Sequence, residues 1–268
     1  MTSEDSAKRT GSPRESPVVL EAAGLVKHYG GVAALRGANF QVNAGEVVAL
    51  IGDNGAGKST LVKCLSGAEQ PDSGTIVLDG VPVVLNSPTT ARKLGVETVY
   101  QDLAVAPDLD PAANLFLGRE VLRKGLAGTL GMLDKAAMRS QAIDHFRRLG
   151  VTLQSADVPI GALSGGQRQS VAVARAVLWA SKVVFLDEPT AALGVVQRER
   201  VLDVIRRVRD QGVAVVLISH NMPEVRAVAD RIEVLRLGRR VARFTAADAT
   251  LEDLVGAMTG ALSQEDTT

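Results

Sequence analysis

Apolar residues are distributed along this chain in two textures. Short β-like runs come first, at Val18–Glu21, Phe40–Val42, Val47–Ile51, Thr75–Leu78 and Val96–Tyr100, with Gly, Asn and Asp between them supplying turns. From about Leu103 to Ser181 the spacing becomes helical. Ala136–Leu149 is rich in Ala, Arg and Gln, and Val171, Ala174, Val177 and Leu178 share one apolar face. Strand-like runs return at Val183–Leu186 and Val213–Ile218, separated by a helix over Gln197–Asp210 with a charged outer face. Runs apolar at every position predict strands buried on both faces, hence a parallel sheet covered by helices. Near the end, Thr250 and Asp253 have nearly the spacing and chemistry of a capping box. Leu251, Leu254, Val255 and Met258 follow at helical spacing, so a C-terminal helix docked on the core is expected.

Composition narrows the class. The chain has 268 residues, 46% hydrophobic and 22% charged, enough for one large domain with a sizeable core. Thirty basic residues balance thirty acidic ones, so charge supplies no argument for a nucleic acid or an anionic membrane as main partner. Cys64 is the single cysteine, set among apolar residues of Leu61–Leu65, and reads as a buried thiol; no intrachain disulfide is possible. No apolar stretch approaches the roughly 18 residues that span a bilayer. Met1 to Pro17 is Ser-rich and of mixed charge, without the apolar core of a secretory signal, and is expected to be a disordered tail. No tandem repeat is present. A cytoplasmic protein is expected, reaching a membrane only through a partner.

The strongest chemical signal is Gly52-Asp53-Asn54-Gly55-Ala56-Gly57-Lys58-Ser59-Thr60, which matches G-x-x-x-x-G-K-[ST]. It lies directly after the strand Val47–Ile51 and before a helical run. Glycines let the backbone curl so that successive N–H groups point into one concavity and bind phosphate oxygens. The following helix directs its positive end at the same anion. Lys58 is expected to reach the β- and γ-phosphates, and the Ser59 hydroxyl to ligate Mg²⁺. A second signal is Val183-Val184-Phe185-Leu186-Asp187-Glu188-Pro189, an apolar strand ending in two acids. Charge belongs at the exposed carboxyl end of such a strand, which is where ligands bind in open α/β sheets. Asp187 is expected to hold Mg²⁺ directly or through water. Glu188 is expected to polarise an attacking water beyond the γ-phosphate.

A third signal is Leu163-Ser164-Gly165-Gly166-Gln167, followed by a helix expected from about Arg168 to Ser181. A Ser-Gly-Gly turn opening a helix is another anion-binding N-terminus. Two such devices in a chain that binds one nucleotide suggest that the second serves a partner copy.

With these residues the chain resembles the ABC ATPase family, over roughly Val18 to Leu237. The L-S-G-G-Q motif is intact about twenty residues before the acidic pair, and the other family motifs follow in order. The resemblance implies further roles. Gln101, after the strand Val96–Tyr100, matches the glutamine that senses Mg²⁺ or the γ-phosphate and contacts a permease. His220, after Val213–Ile218, matches the switch histidine. Tyr29 matches the aromatic that stacks on adenine. The implied fold is α/β: a P-loop NTPase (RecA-like) core over 18–245, with an N-terminal antiparallel β subdomain and an inserted α-helical subdomain at about 103–181. Residues 246–268 would form a C-terminal helix and tail. Implied too is a head-to-tail homodimer that sandwiches two ATP molecules, each between the phosphate loop of one copy and Ser164, Gly165, Gly166 and Gln167 of the other. Transmembrane permease subunits would dock on the segment from Asp102 to Glu120, at the cytoplasmic side of the cell membrane.

One departure stands out. Where the family reads Ser-Ala-Leu-Asp after Pro189 and Thr190, this chain has Ala191-Ala192-Leu193-Gly194 and lacks the carboxylate that would touch the opposite copy's phosphate loop. The wording Glu188-Pro189-Thr190-Ala191-Ala192-Leu193-Gly194, with Ser219-His220-Asn221-Met222, resembles bacterial monosaccharide importers of the ribose, xylose and fructose group. Such importers act with a sugar-binding protein, an indirect partner here. Two other readings compete: a regulatory module that binds ATP with little hydrolysis, and a soluble ABC ATPase unconnected with transport. The second would call for a long heptad arm, a zinc motif or a basic excess, none of which is in the sequence.

Overall fold

A computed structural model describes residues 16–100, 105–153, 157–191 and 193–262. The expected N-terminal tail before residue 16, and Gln101, lie outside the described residues. The strands are β1 (Val18–Tyr29), β2 (Val32–Asn43), β3 (Val47–Ile51), β4 (Ser73–Leu78), β5 (Val81–Pro82), β6 (Val96–Val99), β7 (Val183–Asp187), β8 (Ala214–Ile218), β9 (Arg231–Arg236) and β10 (Arg239–Thr245). The helices are α1 (Lys58–Leu65), α2 (Pro88–Lys93), α3 (Pro111–Leu115), α4 (Leu126–Thr129), α5 (Lys135–Leu149), α6 (Gly165–Trp179), α7 (Val195–Asp210), α8 (Met222–Val228) and α9 (Leu251–Thr259).

Two sheets organise the molecule. An antiparallel sheet has the order β2-β1-β4-β5, and a six-stranded sheet the order β10-β9-β3-β8-β7-β6. Within the latter, β6, β7, β8, β3 and β9 run parallel, and β10 closes one edge antiparallel to β9. The expectation of strands sealed on both faces holds: every residue of β3 and β8 is buried. Side chains on a strand alternate between faces, and here the alternation divides them between two cores. Val215 and Leu217 of β8, with Val184 and Leu186 of β7, join the core beneath α5, α6 and α7. Ala214, Val216 and Ile218, with Val183 and Phe185, join the core shared with α1 and the antiparallel sheet. Cys64 is buried there, its thiol pushed up to about 11 by burial.

Element limits differ from the sequence expectation in an informative way. β1 and β2 run much longer than the apolar runs at their ends, because a half-exposed antiparallel pair tolerates polar residues on one face and register shifts absorb the rest. Helix α6 begins at Gly165, not near Arg168. Ser164 accepts from the Gln167 amide, and the Gln167 side chain accepts from Ser164 N, a complete capping box that draws the start back. The near-match at Thr250 and Asp253 is likewise a complete box, opening α9. The β9–β10 hairpin, α2 and α8 carried too weak a periodicity to be expected. On β9, Glu233 is fully buried. Burial pushes its carboxyl up, and Arg231, Arg243 and Arg240 around it oppose the shift.

Leu217 faces the helical core from the middle of the sheet, so Leu217→Ala should destabilise the chain by about 2–5 kcal/mol. A lowered urea midpoint with an unchanged slope would be the signature; a loss below that range would mean that the cavity collapses.

Candidate functional site

The carboxyl ends of β3, β7 and β8 lie side by side, in register Leu50↔Ile218 and Asp187↔Ile218. Each gives way to a turn carrying polar groups, so three segments distant in sequence meet at one edge. After β3 the chain enters the loop Gly52–Gly57. Gly57 has φ 103, and a Cβ there would lie 2.7 Å from the Ala34 carbonyl oxygen. Only glycine fits that position. The same closeness shows that the β1–β2 hairpin is packed on the loop. Tyr29 ends β1 on that hairpin, 42% exposed, with the Lys27 ammonium 5.7 Å from its ring centre.

Helix α1 starts at Lys58 with Gly57 as N-cap and no side-chain cap, so no side chain at the cap accepts from its first N–H groups. Lys58 Nζ donates to the carbonyls of Gly52 (2.8 Å) and Asp53 (3.0 Å), which holds the ammonium over the loop. Ser59 is exposed beside it, and Asn54 and Gly55 form the loop's solvent-facing crest, with Ala56 buried beneath. Burial lowers the proton affinity of Lys58, while Glu188, Asp53 and Asp187 oppose that shift. Asp187 is affected in the opposite sense. Burial raises its carboxyl, Glu188 adds to the rise, and Lys58 counteracts it. The edge therefore holds one ammonium against two adjacent carboxylates in a half-buried setting, where a divalent cation would relieve the carboxylates.

Glu188 takes a left-handed backbone conformation, φ 49, unusual for a residue with a side chain. Such strain persists when the surroundings hold it and clusters at functional sites. Here its N–H donates to the Ile218 carbonyl (2.9 Å), and its Oε1 lies 2.8 Å from Nδ1 of His220. His220 is otherwise open, with a side chain 79% exposed. A carboxylate anchored to an imidazole at the mouth of a phosphate-binding loop can accept a proton from water.

The structure thus brings together Lys58, Ser59, Asp187, Glu188 and His220. Ser164, Gly165, Gly166 and Gln167 lie elsewhere. Among the described residues no hydrogen bond or ion pair joins them to Gly52–Thr60; their neighbours are Leu193 and Gln197 at the start of α7. A Cβ on Gly166 would sit 2.6 Å from Cβ and Cγ of Gln197, so the second glycine of this turn is required by packing. Gly194 is the N-cap of α7 and supplies no side-chain cap. Among the described residues, no cluster of three or more His, Cys, Asp or Glu could hold a metal unaided, and no helix is long and apolar enough to cross a membrane.

Sequence reasoning missed Thr190 and Glu224, both buried close to this edge. Only the Asn221-x-x-Glu224 spacing, with Asn221 capping α8, could have drawn attention to the second.

Residues 35–191 match the family described as ABC transporter. The chain is 53% identical to the fructose import ATP-binding protein FrcA of Rhizobium meliloti, over 91% of this chain and 94% of that protein. It is 44% identical to the xylose/arabinose import ATP-binding protein XylG of Sulfolobus acidocaldarius, over 90% and 94% of the two. Against ribose import relatives the chain spans about half of their length, 48% in one from Rubrobacter xylanophilus. Among solved structures, cbiO1 from Clostridium perfringens, part of the ABC transporter complex cbiONQ, superposes with a TM-score of 0.74 at 27% identity, over 90% of this chain and 93% of that one.

Burial makes the ionised Asp187 carboxylate unfavourable in the folded chain. Its folded proton affinity exceeds the unfolded one, so the cost is present at neutral and alkaline pH and fades as pH falls through the raised value. Without nucleotide, Asp187→Asn should therefore melt above the wild type at alkaline pH, with the gap closing on acidification. A gap independent of pH in circular-dichroism melts would contradict this.

Proposed function

This chain belongs to the ABC transporter family, as an ATP-binding subunit with ATPase activity, and on that premise we propose that it powers uptake of a simple sugar through a membrane permease. The observation that carries the reading is the convergence of Lys58, Asp187, Glu188 and His220 on one edge of the sheet. In this reading the amides of Gly52, Asn54, Gly55, Ala56, Gly57 and Thr60, with Lys58, bind the phosphates of ATP, and Tyr29 stacks on the base. Ser59 and Asp187 fit Mg²⁺, since a hydroxyl and a single carboxylate beside phosphate oxygens are the kind of donor set this ion takes. Gln101 is assigned to the same ion from the sequence alone. Mg²⁺, when bound, neutralises charge on the phosphate oxygens. Glu188 orients the attacking water and takes its proton, and His220 fixes the Glu188 carboxylate.

The isolation of Ser164–Gln167 from the chain's own phosphate loop supports a homodimer in which each copy completes the other's site. Closure is then a population shift produced by ATP contacts available only in the dimer. A cleft of about 170 Å³ is lined by Tyr100, Leu117, Arg119 and Trp179, and two of these, Leu117 and Arg119, belong to the segment assigned to the permease. Sugar as the cargo is supported by the names of relatives that match this chain over most of their own length. Direct contact with the sugar belongs to the permease and a binding protein.

Purified chain should hydrolyse ATP only with Mg²⁺. Glu188→Gln should lower turnover about 10²–10⁴-fold while ATP stays bound and an ATP-dependent dimer accumulates by size. Loss of ATP binding in that variant would remove Glu188 from its assigned role, and unchanged turnover would favour the regulatory-module reading. In membrane vesicles holding the cognate permease and binding protein, turnover should rise with one simple sugar. Indifference to every simple sugar would sink the sugar assignment and leave the ATPase standing.

A further inference from the structure

A single buried carboxylate lies behind the Glu188–His220 pair. Glu224, on the first turn of α8, is 4% exposed. Its Oε1 accepts from Asn221 Nδ2 at 2.8 Å, and its own N–H donates to Asn221 Oδ1 at 3.4 Å. Its Oε2 accepts a short hydrogen bond from the Thr190 hydroxyl. Arg198 Nε of α7 lies 2.7 Å from Oε1, close but not aimed along a hydrogen bond, so the directed partners are Asn221 and Thr190. Arg198 Nη2 also reaches the Leu193 carbonyl at 3.4 Å.

These partners are placed suggestively. Asn221 directly follows His220, and Thr190 lies two residues beyond Glu188. Arg198 and Leu193 belong to the turn and helix start against which Gly165 and Gly166 pack. Burying a carboxylate is costly unless it is paired, and an apolar residue would fill the same volume at less cost. Beyond their mutual contact, neither Glu188 nor His220 has another side-chain hydrogen bond among the described residues. The spacing of the two loops is thus held from beneath.

We propose that Glu224 is a positioning residue for ATP hydrolysis: by tying Asn221 to Thr190 it sets the Glu188–His220 contact and fixes that pair relative to the turn at Leu193. It acts through His220 and does not touch substrate. The proposal rests on the roles assigned above to Glu188 and His220. A displacement of about 1 Å in such a pair costs up to about a hundredfold in rate.

The test uses the full chain and its variants Glu224→Gln, Thr190→Val, Thr190→Ser and His220→Ala. With three histidines in the chain, the ring signals of His220 are assignable by comparison with His220→Ala. Glu224→Gln and Thr190→Val should shift the His220 ring signals and leave those of His145 in place. They should lower kcat about tenfold to a hundredfold with KM for ATP within about twofold, and Thr190→Ser should restore it. In a His220→Ala background, Glu224→Gln should add less than about twofold, because both act through one contact. Unmoved His220 signals, a full additive loss in the double variant, or a matching rise in KM would each overturn the proposal. If Glu224→Gln does not fold, Thr190→Val, which only exchanges a hydroxyl for a methyl, decides alone. If His220→Ala and Glu188→Gln both turn over like the wild type, their assignment has failed and the proposal falls with it; the single-variant rates make the two failures distinguishable.

Discussion

A charge sealed inside a sheet covered on both faces is cut off from water, and it costs several kcal/mol if left without a partner. The strands β3, β7 and β8 obey this to the last residue. Each is apolar while helices or the second sheet cover it, and each becomes polar where the cover ends. In β7 the change from Leu186 to Asp187 takes one residue. Since these strands are parallel, all three changes occur on the same edge. The Gly52–Gly57 loop, the acidic pair and His220 are neighbours because each follows the carboxyl end of one of three adjacent parallel strands.

At that edge the charges are arranged for visitors of both signs. Lys58 and the uncapped start of α1 attract an anion, and Asp187 with Glu188 attracts a cation. Burial weakens the hold of Lys58 on its proton and strengthens that of Asp187, so both groups gain from a ligand that carries the opposite charge. Around this centre the geometry is held by backbone: the left-handed turn at Glu188 is pinned to Ile218, and Gly57 is pressed on the β1–β2 hairpin. Fixed donors and charges of this kind are how electrostatic stabilisation avoids reorganisation during a reaction.

Much of this was legible in the sequence, for a physical reason. Gly57, Lys58 and the Asp187–Glu188 pair belong to contiguous segments whose chemistry needs fixed spacing, and the runs Val47–Ile51 and Val213–Ile218 have the length and unbroken apolar character of doubly buried strands. The parallel sheet covered by helices followed from the same textures, whereas the antiparallel N-terminal sheet was implied by the family resemblance. The Ser164-Gly165-Gly166 turn reads as opening a helix, yet the helix starts three residues before Arg168, because a capping box outweighs the poor helix propensity of Gly165 and Gly166. Hidden were relations between distant segments. Nothing local marks Glu224 as the partner of Thr190, 34 residues away, or Gln197 as the neighbour that keeps Gly166 small. Lone arginines and a glutamate in Arg231–Thr245 masked the β9–β10 hairpin, since charges at strand positions obscure a period of two.

That hairpin bears on a matter remote from chemistry. An open sheet invites another chain to add a strand along its rim. Here one rim is β6, only four residues long, and the other is β10, which carries Arg239, Arg240 and Arg243 in seven positions. Arg240 and Arg243 turn onto the buried Glu233, which leaves Arg239 exposed at that rim. A short edge strand at one rim and a charge at the other are devices by which sheets resist the addition of a strand from another chain.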